Sequence, residues 1–156
     1  MASHHKTDNA INVASTMSKH VPFLSSIHEG VMTTTLETVL KRFDEPDEIR
    51  TFEKGKFELV HIGGMTIGRA IYEPGWKWSM HVGPDAGGAS HCHCEHVGLV
   101  LSGCATAAMD GGTVYDLRAG TLFYIPPGPP GHDSWVVGNE PYVSLHFLGA
   151  DRYARK

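Results

Sequence analysis

No apolar run in this 156-residue chain approaches the roughly 20 residues that span a bilayer as a helix, so no membrane partner is expected. A secretory hydrophobic region is also lacking: the first twenty residues are mostly Ser, Thr, Asn, His and Lys, and the cytoplasm is the expected compartment. Basic charge is scarce, with 13 Lys and Arg against 17 Asp and Glu for a formal charge of −4. No basic cluster could track a phosphate backbone, which argues against a nucleic-acid partner. Three cysteines cannot all pair, and without an export signal they read as thiols or ligands rather than as a disulfide framework. Cys92 and Cys94 on one strand would bridge poorly, because alternate residues point the same way but sit far apart.

What the chain does contain is ordinary for a globular protein: 41% hydrophobic and 19% charged residues, at a length suited to one domain. Residues 1–42 read as an N-terminal extension, in which Leu36, Val39, Leu40 and Phe43 follow the spacing of one helix face and predict a short helix ending before Pro46. After Asp47 the period changes. Short apolar runs at Ile49–Phe52, Phe57–Ile62, Met65–Tyr72, Trp76–Val82, His93–Leu101, Cys104–Met109, Thr113–Leu117, Thr121–Ile125, His132–Val137 and Tyr142–Leu148 are cut by turn residues. Eighteen Gly and nine Pro punctuate them. That rhythm predicts an all-β sandwich or barrel over residues 43–150, with 151–156 as a C-terminal tail.

Histidine is the unusual count. Of eleven, His81, His91, His93, His96, His132 and His146 fall in the second half. Imidazole and thiol groups in that density suit iron, zinc, nickel or copper, whereas magnesium and calcium prefer oxygen-rich sites. His146, on a strand beside Leu145 and Phe147, is a candidate to face a barrel lumen. Trp76 and Trp78 read most simply as packing, with Trp78 the one that could wall a pocket.

Two segments carry a resemblance. Val97-Gly98-Leu99-Val100-Leu101-Ser102-Gly103 resembles the strand and turn closing the first motif of the cupin superfamily. Gly120-Thr121-Leu122-Phe123-Tyr124-Ile125-Pro126-Pro127-Gly128 followed by His132 resembles the second motif, in which a His ligand follows the Gly-Pro-Gly frame. The resemblance implies a double-stranded β-helix barrel holding one divalent transition metal ion, with a small-molecule substrate and a homodimer as the expected assembly. It places His96 where the family carries a Glu ligand, and His132 at the second-motif ligand. Two registers compete for the rest. Gly75 followed after five residues by His81 matches the start of the family pattern, whereas His91-Cys92-His93 supplies its own His pair from an inserted loop. On a straight strand Cys92 shares the parity of His96, so it too is a candidate.

A divalent ion held by neutral imidazoles keeps most of its charge and would favour an anionic substrate. The expected activity is that of a metal-binding cupin acting on a small organic acid, most simply a dioxygenase-like oxidoreductase, with Glu95 as the nearest proton shuttle if a bend turns it inward. A non-catalytic small-molecule or metal-binding sensor, and a metal-dependent lyase or isomerase, are the alternatives.

Overall fold

Alternate burial is what makes the central strands. In the computed structural model, which describes residues 37–155, nine strands form: β1 (Glu48–Phe52), β2 (Gly55–Ile62), β3 (Met65–Tyr72), β4 (His96–Ser102), β5 (Cys104–Met109), β6 (Val114–Arg118), β7 (Leu122–Ile125), β8 (His132–Asp133) and β9 (Tyr142–Leu148). A single four-residue helix, α1 (Trp78–His81), interrupts them. The strands make two antiparallel sheets, one of six strands in the order β1-β2-β3-β9-β4-β7 and one of three in the order β6-β5-β8. Gly68, Ala70 and Tyr72 of β3, His96, Gly98 and Val100 of β4, and Tyr142, Ser144 and His146 of β9 are the buried alternates that face inward. Ala105, Ala107 and Leu117 meet them from the smaller sheet. Small residues there leave the space between the sheets to rings from the larger one.

One strand breaks the alternation. Phe57 to Val60 are four consecutive buried residues of β2, and the charged one among them is compensated across the sheet. Glu58 pairs in register with Arg69, whose Nε donates to Oε2 at 2.6 Å, while Lys56 Nζ lies 2.6 Å from Oε1. A buried carboxylate is tolerated only with such partners.

Three local expectations are corrected. Residues 33–36 of the predicted helix lie outside the described residues, and 37–43 are not helical. Val39 and Leu40 stay exposed, so the apolar stripe finds nothing to bury against, and a helix this short does not stand alone. Instead Arg69 stacks over the Phe43 ring at 4.9 Å and donates to its carbonyl at 2.9 Å. Trp76–Val82 is not a strand, because the Asp133 carboxylate accepts from the Ser79 amide at 3.1 Å and hydroxyl at 2.9 Å, capping the first turn of α1. The strand expected over His132–Val137 shrinks to two residues. Beyond it only isolated bridges continue, and Thr106 adds to them, its amide donating to the Trp135 carbonyl at 2.9 Å, its carbonyl accepting from Ser134 Oγ at 2.6 Å and its Oγ1 from the Trp135 amide at 3.2 Å.

The predicted C-terminal tail is likewise part of the core. Tyr153 is buried, its hydroxyl accepts from Tyr72 at 2.8 Å, and its ring meets Phe57 edge-on at 4.8 Å. Arg50 of β1 holds this turn from outside by donating to the carbonyls of Ala150, Asp151 and Tyr153.

Gly98 tests the packing. A methyl group there would run into the Phe123 ring and the Leu145 carbonyl. Gly98→Ala is expected to cost about 1–3 kcal/mol by overpacking, measured by urea denaturation. Leu101→Ala, at a half-exposed neighbour on the same strand, should stay within about 0.5 kcal/mol.

Candidate metal centre

Cys92 and His132 form a two-residue antiparallel bridge: the Cys92 amide donates to the His132 carbonyl at 2.8 Å, and the His132 amide returns a bond of 3.0 Å. The bridge sets the two side chains beside each other. Four residues on, His96 begins β4 in the other sheet, and its Nε2 comes within 3.5 Å of Cys92 Sγ. One ligand atom from each of Cys92, His96 and His132 lies within 4.8 Å of the others, and all three residues are buried, at 2%, 3% and 4% exposure. Ligand atoms in a shared first shell are about 3–4 Å apart at the usual bond lengths near 2.0–2.3 Å, so small rotamer shifts would bring the three onto one ion.

The group opens onto a chamber of about 40 Å³ lined by His96, His132 and His146 together with Trp76, Trp78 and Phe123. One water needs about 10–15 Å³ on this measure, so the chamber admits a few heavy atoms. His146 lines it from β9. Its β-sheet neighbours on both sides are glycines, Gly68 and Gly98, which clears room for Phe57 and Phe123 to meet its ring edge-on at 5.3 and 5.7 Å. His96 is 5.4 Å away, ring to ring.

Burial holds all three imidazoles neutral. It depresses His132 and His146 to about 4, and pushes His96 well below the usual range, with His146 and His132 adding to the effect. The Cys92 thiol moves the other way, raised by its hydrogen bond with Cys94 and by burial. An ion would have to displace that proton. Nδ1 of His96, His132 and His146 has no partner among the described residues, an arrangement that costs about 1–3 kcal/mol per buried group. The residues therefore fit a transition ion: one thiolate and two imidazoles are a donor set for zinc, copper or iron, not for magnesium or calcium.

Of the residues singled out in the sequence, His96 and His132 meet here, joined by Cys92, the residue of matching strand parity. His81, His91, His93 and Glu95 do not reach the chamber. His81 ends α1, where its Nδ1 lies 2.9 Å from the Lys77 amide and carbonyl. His91 turns out to Asp110, 3.2 Å away. His93 is exposed and lies against Gly128, where a Cβ would collide with its ring. Glu95 accepts a bond from the exposed Tyr124 hydroxyl at 3.1 Å, on the outside of β7. The loop leaves strand geometry before His91, so residue type alone does not say which side chains turn inward. His146 and Tyr153 complete the chamber from the C-terminal end. The alternation of β9 pointed to the first, whereas nothing in the pattern of 151–156 pointed to the second.

Comparison with solved structures agrees on the architecture. A protein of unknown function from Rhizobium leguminosarum superposes with a TM-score of 0.51 at 18% identity, over 71% of this chain and 95% of its own. An uncharacterised protein with a double-stranded β-helix domain from Klebsiella pneumoniae gives 0.51 at 18%, over 74% and 88%. The chain has the cupin fold. Oxalate decarboxylase from Bacillus subtilis matches with a TM-score of 0.47 and 22% identity over 65% of this chain, which spans only 27% of that protein. No family model and no curated protein matches the sequence, and no described helix is long and apolar enough to cross a membrane.

Because the buried histidines are neutral when folded and titrate near 6.5 when unfolded, the unfolded chain binds more protons between about pH 6.5 and 4. Stability of the chelator-treated protein should therefore fall on acidification across that window, by about 1.4 kcal/mol per pH unit for each imidazole. Urea midpoints at a series of pH values check this, and a flat profile would mean that the rings are solvated.

Proposed function

We propose that this cupin is a metal-dependent oxidoreductase of the dioxygenase-like kind, acting on a small anionic substrate, with one redox-active ion held by Cys92, His96 and His132. The observation that supports it is the meeting of three buried ligand atoms within 4.8 Å at the wall of an aromatic chamber. When bound, the ion supplies Lewis acidity and, if iron or copper, one-electron chemistry towards oxygen.

The protein's own residues divide the remaining work. A divalent ion with one thiolate keeps a single net positive charge, which favours a monoanion, and no cation lines the chamber to compete for it. The indole and phenyl walls lower the local dielectric and so strengthen the electrostatic contacts inside. Ser144 Oγ lies 3.0 Å from His146 Nε2 and fixes that ring. In the tautomer whose Nε2–H donates to Ser144, Nδ1 is a free acceptor beside the bound substrate, neutral at physiological pH. His146, rather than Glu95, is thus the group placed to take a substrate proton.

The donor set itself favours a second reading, since zinc takes the same thiolate and imidazole ligands with a fourth position open for a water or substrate. With zinc the site would serve a lyase, an isomerase or a sensor. Elemental analysis of protein purified without chelators separates the two: iron or copper at one ion per chain, with oxygen uptake on adding small carboxylic acids, is expected. Zinc without oxygen uptake would overturn the oxidoreductase reading.

Cys92→Ser, His96→Ala and His132→Ala should each lower metal occupancy at least about tenfold. The double change of His91 and His93 to Ala should leave it intact. Full occupancy in all three single variants would remove the metal centre.

A further inference from the structure

A depression in the surface runs between β6 and β7, edge strands of the two sheets. It encloses about 410 Å³, within the lower range of sites that take a small organic ligand, about 300–1,000 Å³. Its walls are Met109, Leu117, Phe123, Ile125 and Tyr115, with Thr121 at one end. Leu117, Phe123 and Ile125 also line the histidine chamber, so the partition between groove and chamber is one side chain thick. The exposed large apolar residues Val114, Tyr115, Leu122 and Tyr124 all stand on the two strands that flank this groove. Of these, Tyr115 and Tyr124 line it.

We infer that the groove between β6 and β7 holds the body of the substrate, and that the substrate is a carboxylate carrying a single aromatic ring, its carboxylate passing the Leu117–Phe123–Ile125 partition to the chamber. This rests on the proposed metal centre. Size carries the assignment: a chamber of about 40 Å³ accepts a carboxylate and little more, whereas the adjoining groove has the volume and the apolar lining for one ring. Charge fixes the orientation. No cation lines the groove, and its one ionised group, Asp116, is already paired with Arg118 at 2.6 Å, so only the net positive ion of the metal centre attracts a carboxylate.

The test is methyl and amide NMR on zinc-loaded protein titrated separately with phenylacetate and with benzyl alcohol, which has the ring without the charge. Both should shift the Met109, Leu117 and Ile125 methyl groups at millimolar concentration, with phenylacetate binding at least about tenfold more tightly, a difference of about 1.4 kcal/mol. That preference should vanish in His96→Ala protein freed of metal. Met109→Ala should weaken both ligands severalfold, and Tyr115→Ser, at an exposed position that folding does not depend on, should do the same. Absence of methyl shifts with either ligand would overturn the groove assignment whatever the zinc content. Equal binding of the two ligands to a protein that takes up no zinc would overturn the metal centre and, with it, the inward-pointing carboxylate. Shifts of the same methyl groups on dilution of ligand-free protein, with a dimer in sedimentation, would overturn the proposal by assigning the groove to a second copy of the chain.

Discussion

The pair of main-chain hydrogen bonds between Cys92 and His132 is the constraint on which the rest of the site depends. Hydrogen-bonded partners in an antiparallel pair have Cα atoms about 5.5 Å apart with side chains on one face. This single bridge therefore delivers a sulfur and an imidazole together without further shaping. It also ties the irregular segment before β4 to the smaller sheet, so that when the chain crosses to the larger sheet at His96 the third group arrives from the opposite wall. Gly131 keeps the bridge possible: a Cβ there would press on the His91 Cβ and the Cys92 carbonyl. The loop is thus held down by backbone contacts, and its own histidines are left to face outward.

The interior is unusually polar for so small a barrel, and its packing shows how that is accommodated. His146 lies between two glycines, and two phenyl rings close over the glycines to reach it. Aromatic edges directed at an imidazole face are a favourable arrangement worth a fraction of a kcal/mol to about 1.5, which offsets part of the cost of unpartnered ring nitrogens. The remainder stands as a cost in stability.

How much of this could be read from residue order varies along the chain for physical reasons. The strands β3, β5 and β9 have the bounds their alternation predicted, because both the pleat and the turn residues at their ends are local. His132 was legible because a Pro-Gly frame and a short strand position it. Cys92 could be seen only as a parity partner of His96, one option among several, since its pairing with His132 spans forty residues. The segment 76–82 misled for a similar reason. Its helix depends on a carboxylate at Asp133, and no pattern of neighbours contains that information. The abundance of His91 and His93 suggested ligands, yet composition says nothing of direction once a chain leaves regular structure.

The Arg50 clamp on the last turn has a consequence for the order of events in making this protein. Its bonds join positions 100 to 103 residues apart, and Tyr153 cannot floor the chamber until they form. Contacts so distant along the chain are paid for in loop-closure entropy before they return anything, and they form late. A ribosome-bound chain that has already exposed Cys92, His96 and His132 still lacks the wall that keeps water from them. The metal centre proposed above is then complete only in the finished barrel, after the last turn has docked.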